Sequence, residues 1–160
     1  MRLPVRELAE KYQEHVFRAA FSVCRNPAEA EDIVQDTFLK YMESDCQFES
    51  EEHIKAWLLR TAINRSKDVL KAFWHRKRGS FEEYMESVPF QDTESRRLVE
   101  TVLSLPKAYR IPIYLFYYED YPVKEIADIL NLSENTVKSR LYRGRKMMQD
   151  ILKENWTDDE

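Results

Sequence analysis

Asp32 and Asp36 stand one helical turn apart, as do Glu29 and Asp32. Carboxylates at that spacing are the raw material of metal sites and of acid–base pairs. Here nothing converges on them. The histidines His15, His53 and His75 are scattered, and there is neither a phosphate-cradling glycine loop nor a nucleophile elbow. The acidic residues read as a solvated helix face, and no catalytic centre, metal or cofactor is expected. Cys24 and Cys46 could act as a redox pair, but two unrelated thiols in a reducing compartment are the simpler reading.

A different chemistry is carried by Ser133, Asn135, Thr136, Lys138, Ser139, Arg140 and Arg143. These side chains bond base edges and phosphates. They fall on the outward side of a helix whose inward positions are Val137 and Leu141. Ser133 is suited to cap that helix, and Glu134 suits its first turn. Before it, Ile126, Ala127 and Leu130 form the buried face of a short helix. Asn131, which tolerates the left-handed conformation, marks the turn, and Leu132 plugs the corner. Cap, corner and basic outward face together predict a helix-turn-helix whose second helix enters a major groove. An ordinary helical hairpin would not require the three to coincide.

A second constellation is Trp57, Arg60, Asn64, Lys67 and Lys71, at i, i+3, i+7, i+10 and i+14 on one helical face. An aromatic ring among cations suits single-stranded or melted DNA, where rings stack on bases and cations follow the backbone. The other reading is a core tryptophan beside a solvated basic face.

The elements that must position these residues are helices. The chain has 160 residues, 43% of them apolar, with two glycines and six prolines. That composition disfavours an all-β fold. Val5, Leu8, Tyr12, Val16, Ala19, Ala20 and Val23 mark a first helix. Asn26-Pro27-Ala28-Glu29 is a start signal for a second, with its core face at Ala30, Ile33, Val34, Thr37, Phe38 and Tyr41. Asp45 to Ser50 reads as a loop. Ser50 caps a long third helix burying Ile54, Leu58, Thr61, Ala62, Val69 and Phe73. The predicted organisation is all-α: one helical domain over 1–78, a flexible linker over 79–92 and a second helical domain over 93–160. The linker holds Gly79, Ser80 and Pro89, and neither core is expected to use it. The alternative there is a short helix around Phe81 to Met85. Pro112 removes a backbone donor within the apolar segment Lys107 to Tyr118 and should cost stability or kink the helix.

Charge is distributed in blocks. The net charge is −4. Glu29 to Glu52 carries nine acids against Lys40, Lys55 to Arg78 carries eight bases against Asp68, and Lys138 to Lys146 carries five bases and no acid. Such blocks point to separate surfaces for different partners. The N-terminal stretch has no signal-peptide core, and the longest apolar run, Ile111 to Tyr118, is too short for a bilayer, so a cytoplasmic protein is expected.

The segments AEAEDIVQDTFLKYM, HIKAWLLRTAINRSKDVL and VKEIADILNLSENTVKSRLYRGRKMM, in this order and spacing, resemble the extracytoplasmic-function group of bacterial sigma factors. The resemblance covers nearly the whole chain and implies sigma regions 2 and 4 joined by a linker. It implies that Asp32, Gln35, Asp36 and Phe38 meet the β′ clamp helices of core RNA polymerase. Trp57, Arg60, Asn64, Arg65, Lys67 and Lys71, with the Glu43 to His53 loop, would handle the melted −10 element. The helix from Ser133 would read the −35 element, and the β flap would be a further polymerase contact. An anti-sigma factor is implied as a regulator. Ile54 stands where the family usually has an aromatic, Lys71 replaces a frequent Arg, and Pro122 sits where a cap such as Ser is usual. On this reading the chain is not an enzyme; it lends promoter specificity to a polymerase. Two other classes are a DNA-binding regulator with no polymerase role and a carboxylate-based enzyme. Binding to core polymerase discriminates the first, metal-dependent turnover the second.

Overall fold

The computed structural model describes the backbone of residues 1–72 and 79–158, and the side chains of residues 1–69 and 83–153. Among the described residues there are eight helices and no strand. The chain divides into two units, Met1–Glu86 and Ser87–Glu160.

Three helices build the first unit: α1 (Val5–Cys24), α2 (Pro27–Glu43) and α3 (Glu51–Ala72). Their ends follow from local chemistry. Arg25 closes α1 in the left-handed conformation, at φ 56°. The Asn26 side chain accepts the Glu29 N–H at 3.0 Å, with Pro27 in the first helical position where its missing N–H costs nothing. The Ser50 hydroxyl accepts the His53 N–H at 3.1 Å, and the His53 ring accepts the Glu49 N–H in return. Each pair of these helices packs together. Ala19, Ala20, Ala30 and Ala62 are fully buried, and their small side chains let the backbones approach around Leu8, Ile33, Ile54, Leu58 and Ile63. The Lys11 ammonium bonds the Glu51 carboxylate at 2.6 Å, tying α1 to the start of α3. That bond raises the Lys11 pKa above its ordinary value.

The segment expected to be a linker is partly a fourth helix, α4 (Gly79–Ser87). Met85 is buried, and the Tyr84 ring lies 4.8 Å from that of Phe21 and 5.9 Å from that of Phe17, both in α1. Burial pushes the Tyr84 phenol above its usual pKa. The first core therefore uses this segment, contrary to the expectation. The short helix given as the alternative around Phe81 to Met85 is the one present, and Phe81, Tyr84, Met85 and Val88 fall at i, i+3, i+4 and i+7. Phe73 and the side chain of Lys71 lie outside the described residues.

The second unit contains α5 (Thr93–Ser104), α6 (Lys107–Tyr117), α7 (Val123–Leu130) and α8 (Glu134–Asp158). Asp92 caps α5 by accepting the Ser95 N–H at 2.6 Å, and that bond lowers the Asp92 pKa. The buried Arg110 guanidinium donates to the Leu105 carbonyl at 2.8 Å, satisfying the far end of the same helix. Pro112 sits inside α6 without ending it. Ala108, whose carbonyl would have accepted the missing bond, is exposed, so water is within its reach. Long helix α8 crosses α6 at Gly144, where an added Cβ would stand 2.9 Å from Ile113 Cγ1. Glycine is required there by close approach.

Candidate nucleic-acid interface

The helix-turn-helix forms from α7 and α8. Ile126, Ala127 and Ile129 are buried, and Leu130, expected on the inward face, is half-buried. Asn131 turns the chain at φ 55° and ψ 50°, the Leu132 N–H bonds the Ala127 carbonyl at 2.9 Å, and the corner closes. The Ser133 hydroxyl accepts the Thr136 N–H at 3.1 Å and meets the Thr136 hydroxyl at 2.8 Å. Both hydroxyls are thus engaged in the cap, and Ser133 fixes the helix end as well as facing outward. Val137 and Leu141 are buried. Asn135, Lys138, Ser139 and Arg143 are exposed, and Arg140 and Thr136 are half-buried.

The outward face extends further than the sequence reading took it. Tyr142 is exposed, with the Lys146 ammonium 5.4 Å from its ring centre. Positions 135, 138, 142 and 146 continue one helical row, which is the signal that could have found them. Arg145 belongs to the other side: its guanidinium donates to the Tyr117 hydroxyl at 2.6 Å and covers the Phe116 and Tyr117 rings. It borders an apolar groove of about 450 Å³ lined by Leu98, Val102, Tyr117, Tyr118 and Met148 among others. Leu98, Tyr117 and Tyr118 are exposed.

In the first unit the α3 stripe has Arg60 and Asn64 exposed and Lys67 half-buried. Trp57 is half-buried and is part of an aromatic cluster. Its ring meets Phe48 edge-on at 5.9 Å and Tyr41 at 6.1 Å, while Phe48 also meets Tyr41 at 5.9 Å and His53 at 5.2 Å. Trp57 anchors the loop before α3 through these rings and still reaches the surface. Phe48 is buried although its loop neighbours Gln47 and Glu49 are exposed. It was missed because a lone aromatic in a polar loop has no periodicity to mark it. Arg65, which lies outside that stripe, pairs with Asp36 of α2, Nε to Oδ2 3.3 Å.

The α2 residues also separate. Asp32 and Gln35 are exposed, Asp36 is half-buried, and Phe38 is buried, 8% exposed. Phe38 therefore belongs to the core. Leu39 and Met42, which the sequence reading passed over, are 53% and 59% exposed. With Asp32 and Gln35 they occupy i, i+3, i+7 and i+10, so two large apolar side chains continue the row begun by Asp32 and Gln35. Among the described residues, no three His, Cys, Asp or Glu side chains gather to hold a metal, and no helix is long and apolar enough to cross a membrane.

Two family models match the chain: sigma-70 region 2 over residues 8–79 and sigma-70 region 4 over residues 95–148. The RNA polymerase sigma factor SigV of Bacillus subtilis (strain 168) is 32% identical, with 86% of this chain and 84% of the relative covered. The ECF RNA polymerase sigma factor SigM of the same organism is 27% identical, with 98% and 100% covered. Among solved structures, the sigma factor RpoE in complex with the anti-sigma factor NepR from Bartonella quintana shares the fold, with a TM-score of 0.73, 23% identity and coverage of 92% and 96%. The structure of CnrH in complex with the cytosolic domain of CnrY has a TM-score of 0.68, 23% identity and coverage of 93% and 87%. With both regions matched in order, an outward basic face on its helix-turn-helix and an acidic-apolar row on α2, the chain belongs to the extracytoplasmic-function sigma factors, which bind core RNA polymerase and direct it to promoters.

Proposed function

We propose that this sigma factor assigns its tasks to four surfaces. The α2 row of Asp32, Gln35, Leu39 and Met42 docks on the β′ clamp helices, the Asp32 carboxylate and Gln35 amide setting register and the two apolar side chains supplying buried area. Asp36 contributes at the edge of this row and Phe38 supports it from the core. Trp57, Arg60, Asn64, Lys67 and Lys71, with the loop before α3, hold the melted −10 strand, and Arg65 stands beside them. Asn135, Lys138, Ser139, Arg140 and Arg143 read the −35 element, with Ser133 and Thr136 at the helix start near the phosphates. The apolar groove of the second unit takes the β flap. The family is not an enzyme class, and on this reading the chain has no catalytic residue and works in the cytoplasm with the polymerase. We extend the proposal to control by an anti-sigma factor that covers the α2 row or the groove.

The observation that carries the reading is the division of the first unit. Asp32, Gln35, Leu39 and Met42 stand on α2 and the basic row stands on α3, and Arg65 of α3 pairs with Asp36 of α2. Two surfaces of opposite character suit two partners of opposite character. Capturing an unpaired base lowers the cost of duplex opening, because the extruded state gains stacking and hydrogen bonds.

Run-off transcription with purified core polymerase tests it. Asp32→Arg with Leu39→Arg should abolish co-purification with core polymerase while the fold persists. Asn64→Ala with Lys67→Ala should bind polymerase but fail to open the −10 region, read as permanganate reactivity of unpaired thymines. Unchanged reactivity in the second pair sinks the strand-holding assignment.

A further inference from the structure

The loop between α2 and α3 has no regular structure from residue 44 to 50, and Asp45, Cys46, Gln47 and Glu49 are exposed. A loop that captures an unpaired base must be ordered to select one, and ordering it on binding would cost affinity. The Phe48 ring in its aromatic cluster fixes one end. The middle is tied by a residue far away in sequence. Arg2 spreads its guanidinium across the loop: Nη1 donates to the Cys46 carbonyl at 2.7 Å and to the Ser44 hydroxyl at 3.3 Å, and Nη2 donates to the Tyr41 carbonyl at 2.7 Å. The same guanidinium lies 4.4 Å from the Tyr41 ring centre. Its neighbours hold it in place. The Tyr41 hydroxyl donates to the Leu3 carbonyl at 2.6 Å and accepts the Leu3 N–H at 3.0 Å, and the Phe48 N–H bonds the Met1 carbonyl at 3.2 Å. Residues 1–3 thus form a strap along the loop with Arg2 at its centre.

We propose that Arg2 is a positioning residue for promoter opening: its planar fork holds the Ser44–Ser50 loop in the shape that selects the unpaired −10 base. The inference rests on the reading that this loop meets the melted strand. The fork is the essential feature. It joins the last turn of α2 to the middle of the loop through three acceptors at once, which a lysine ammonium on a flexible stem does not reproduce. The guanidinium is spent on two carbonyls, a hydroxyl and a ring, so Arg2 acts through the loop and not by touching a base.

The test measures holoenzyme, assembled from core polymerase and the full chain, on fork-junction DNA whose non-template −10 strand is unpaired. Each base is varied in turn, and the ratio of preferred to non-preferred binding is read. Arg2→Ala should reduce that ratio by about fivefold or more, with assembly onto core polymerase unchanged. Arg2→Lys should keep the salt dependence of binding but not restore the ratio. Tyr41→Phe, which cuts the strap at Leu3, should move the ratio in the same direction by less, and it keeps the test open should Arg2→Ala fold poorly. Full restoration by Arg2→Lys would reduce the role to charge and overturn the proposal. An unchanged ratio in Arg2→Ala also overturns it. The loop variant Asp45→Ala with Gln47→Ala separates the two failures. If it alters the ratio while Arg2→Ala does not, Arg2 is wrong and the loop reading stands. If it too leaves the ratio untouched, the loop reading is wrong and the Arg2 inference falls with it.

Discussion

The proposed −35 reader of the second unit rests on one helix and its cap, whereas the proposed −10 surface of the first draws on residues 1–3, the end of α2, a loop and α3. Ser133, Asn131 and Leu132 set the entry of α8 through contacts within six residues. Arg2, Tyr41, Phe48 and Trp57 set the loop through contacts spanning the whole helical unit. The difference suits the two substrates. A duplex groove presents a fixed shape, and a rigid helix with outward donors is sufficient to read it. An unpaired strand has no shape of its own, so the protein must supply one, and that takes elements from several parts of the chain.

The comparison is broken most severely where a surface residue turns out to be core. Phe38→Ala should destabilise the first unit by roughly 3 kcal/mol or more, as large-to-small changes at buried aromatic positions do. Urea unfolding should show that loss, and binding to core polymerase should fall only as far as the fold does. If Phe38→Ala leaves stability intact and selectively removes polymerase binding, Phe38 is a direct contact and the division made here on α2 is wrong.

Next in size is α4. Deleting Glu82 to Ser87 removes Tyr84 from the Phe17 and Phe21 rings and takes out the buried Met85. The first unit should lose about 2–4 kcal/mol, the range for losing one buried side chain and an aromatic contact. The −35 helix, built locally, should still footprint its element. A deletion that costs the first unit nothing would return the whole of 79–92 to the status of a linker.

Smaller effects sharpen the duplex side. Arg140→Ala and Arg143→Ala should each weaken promoter binding by about 1–3 kcal/mol if they bond base edges, and by less if they touch only phosphate. Arg145→Ala should cost less than either, because its guanidinium faces Tyr117. Promoter footprints that fail to distinguish Arg143→Ala from Arg145→Ala would count against this face as the reader.

What the sequence made legible follows the same line. The caps at Asn26, Ser50 and Ser133 and the left-handed Asn131 depend on neighbours within a few residues, and they stand where their residue types placed them. So do most of the core stripes, because a 3.6-residue period is a local property. Four features escaped for want of such a signal. Phe48 is buried by rings from two helices, and Arg65 pairs across helices with Asp36. Arg110 spends its charge on a carbonyl, and Arg2 bonds a loop more than forty residues away. Long flexible cations have many reachable partners, and sequence alone does not say which wins. Leu39, Met42 and Tyr142 were legible in principle, since each continues a row whose polar members were noticed.

The smallest expected effects separate the units by pH. In the first, Lys11 is held above its ordinary pKa of 10.5 by its bond to Glu51. A basic group whose folded pKa is raised contributes stability that is fully present below the unfolded value and is lost as pH rises through the folded one. In the second, the Ser95 N–H holds Asp92 below its ordinary 3.8. An acid whose folded pKa is depressed contributes stability that is present above the unfolded value and is lost as pH falls through the folded one. Both groups are exposed, so solvent screening keeps each contribution small. The comparison is therefore made between variants and not along one curve. The difference in Tm between wild type and Lys11→Met should be steady at neutral pH and should close as pH climbs past 10.5. That between wild type and Asp92→Ala should close on the acid side, as pH drops below 3.8. Each variant should move the unfolding of its own unit, followed by hydrogen exchange in α3 for Lys11 and in α5 for Asp92. If Asp92→Ala loosens α3 as strongly as α5, the units do not unfold separately, and the contrast between a locally built reader and a distributed one loses its energetic basis.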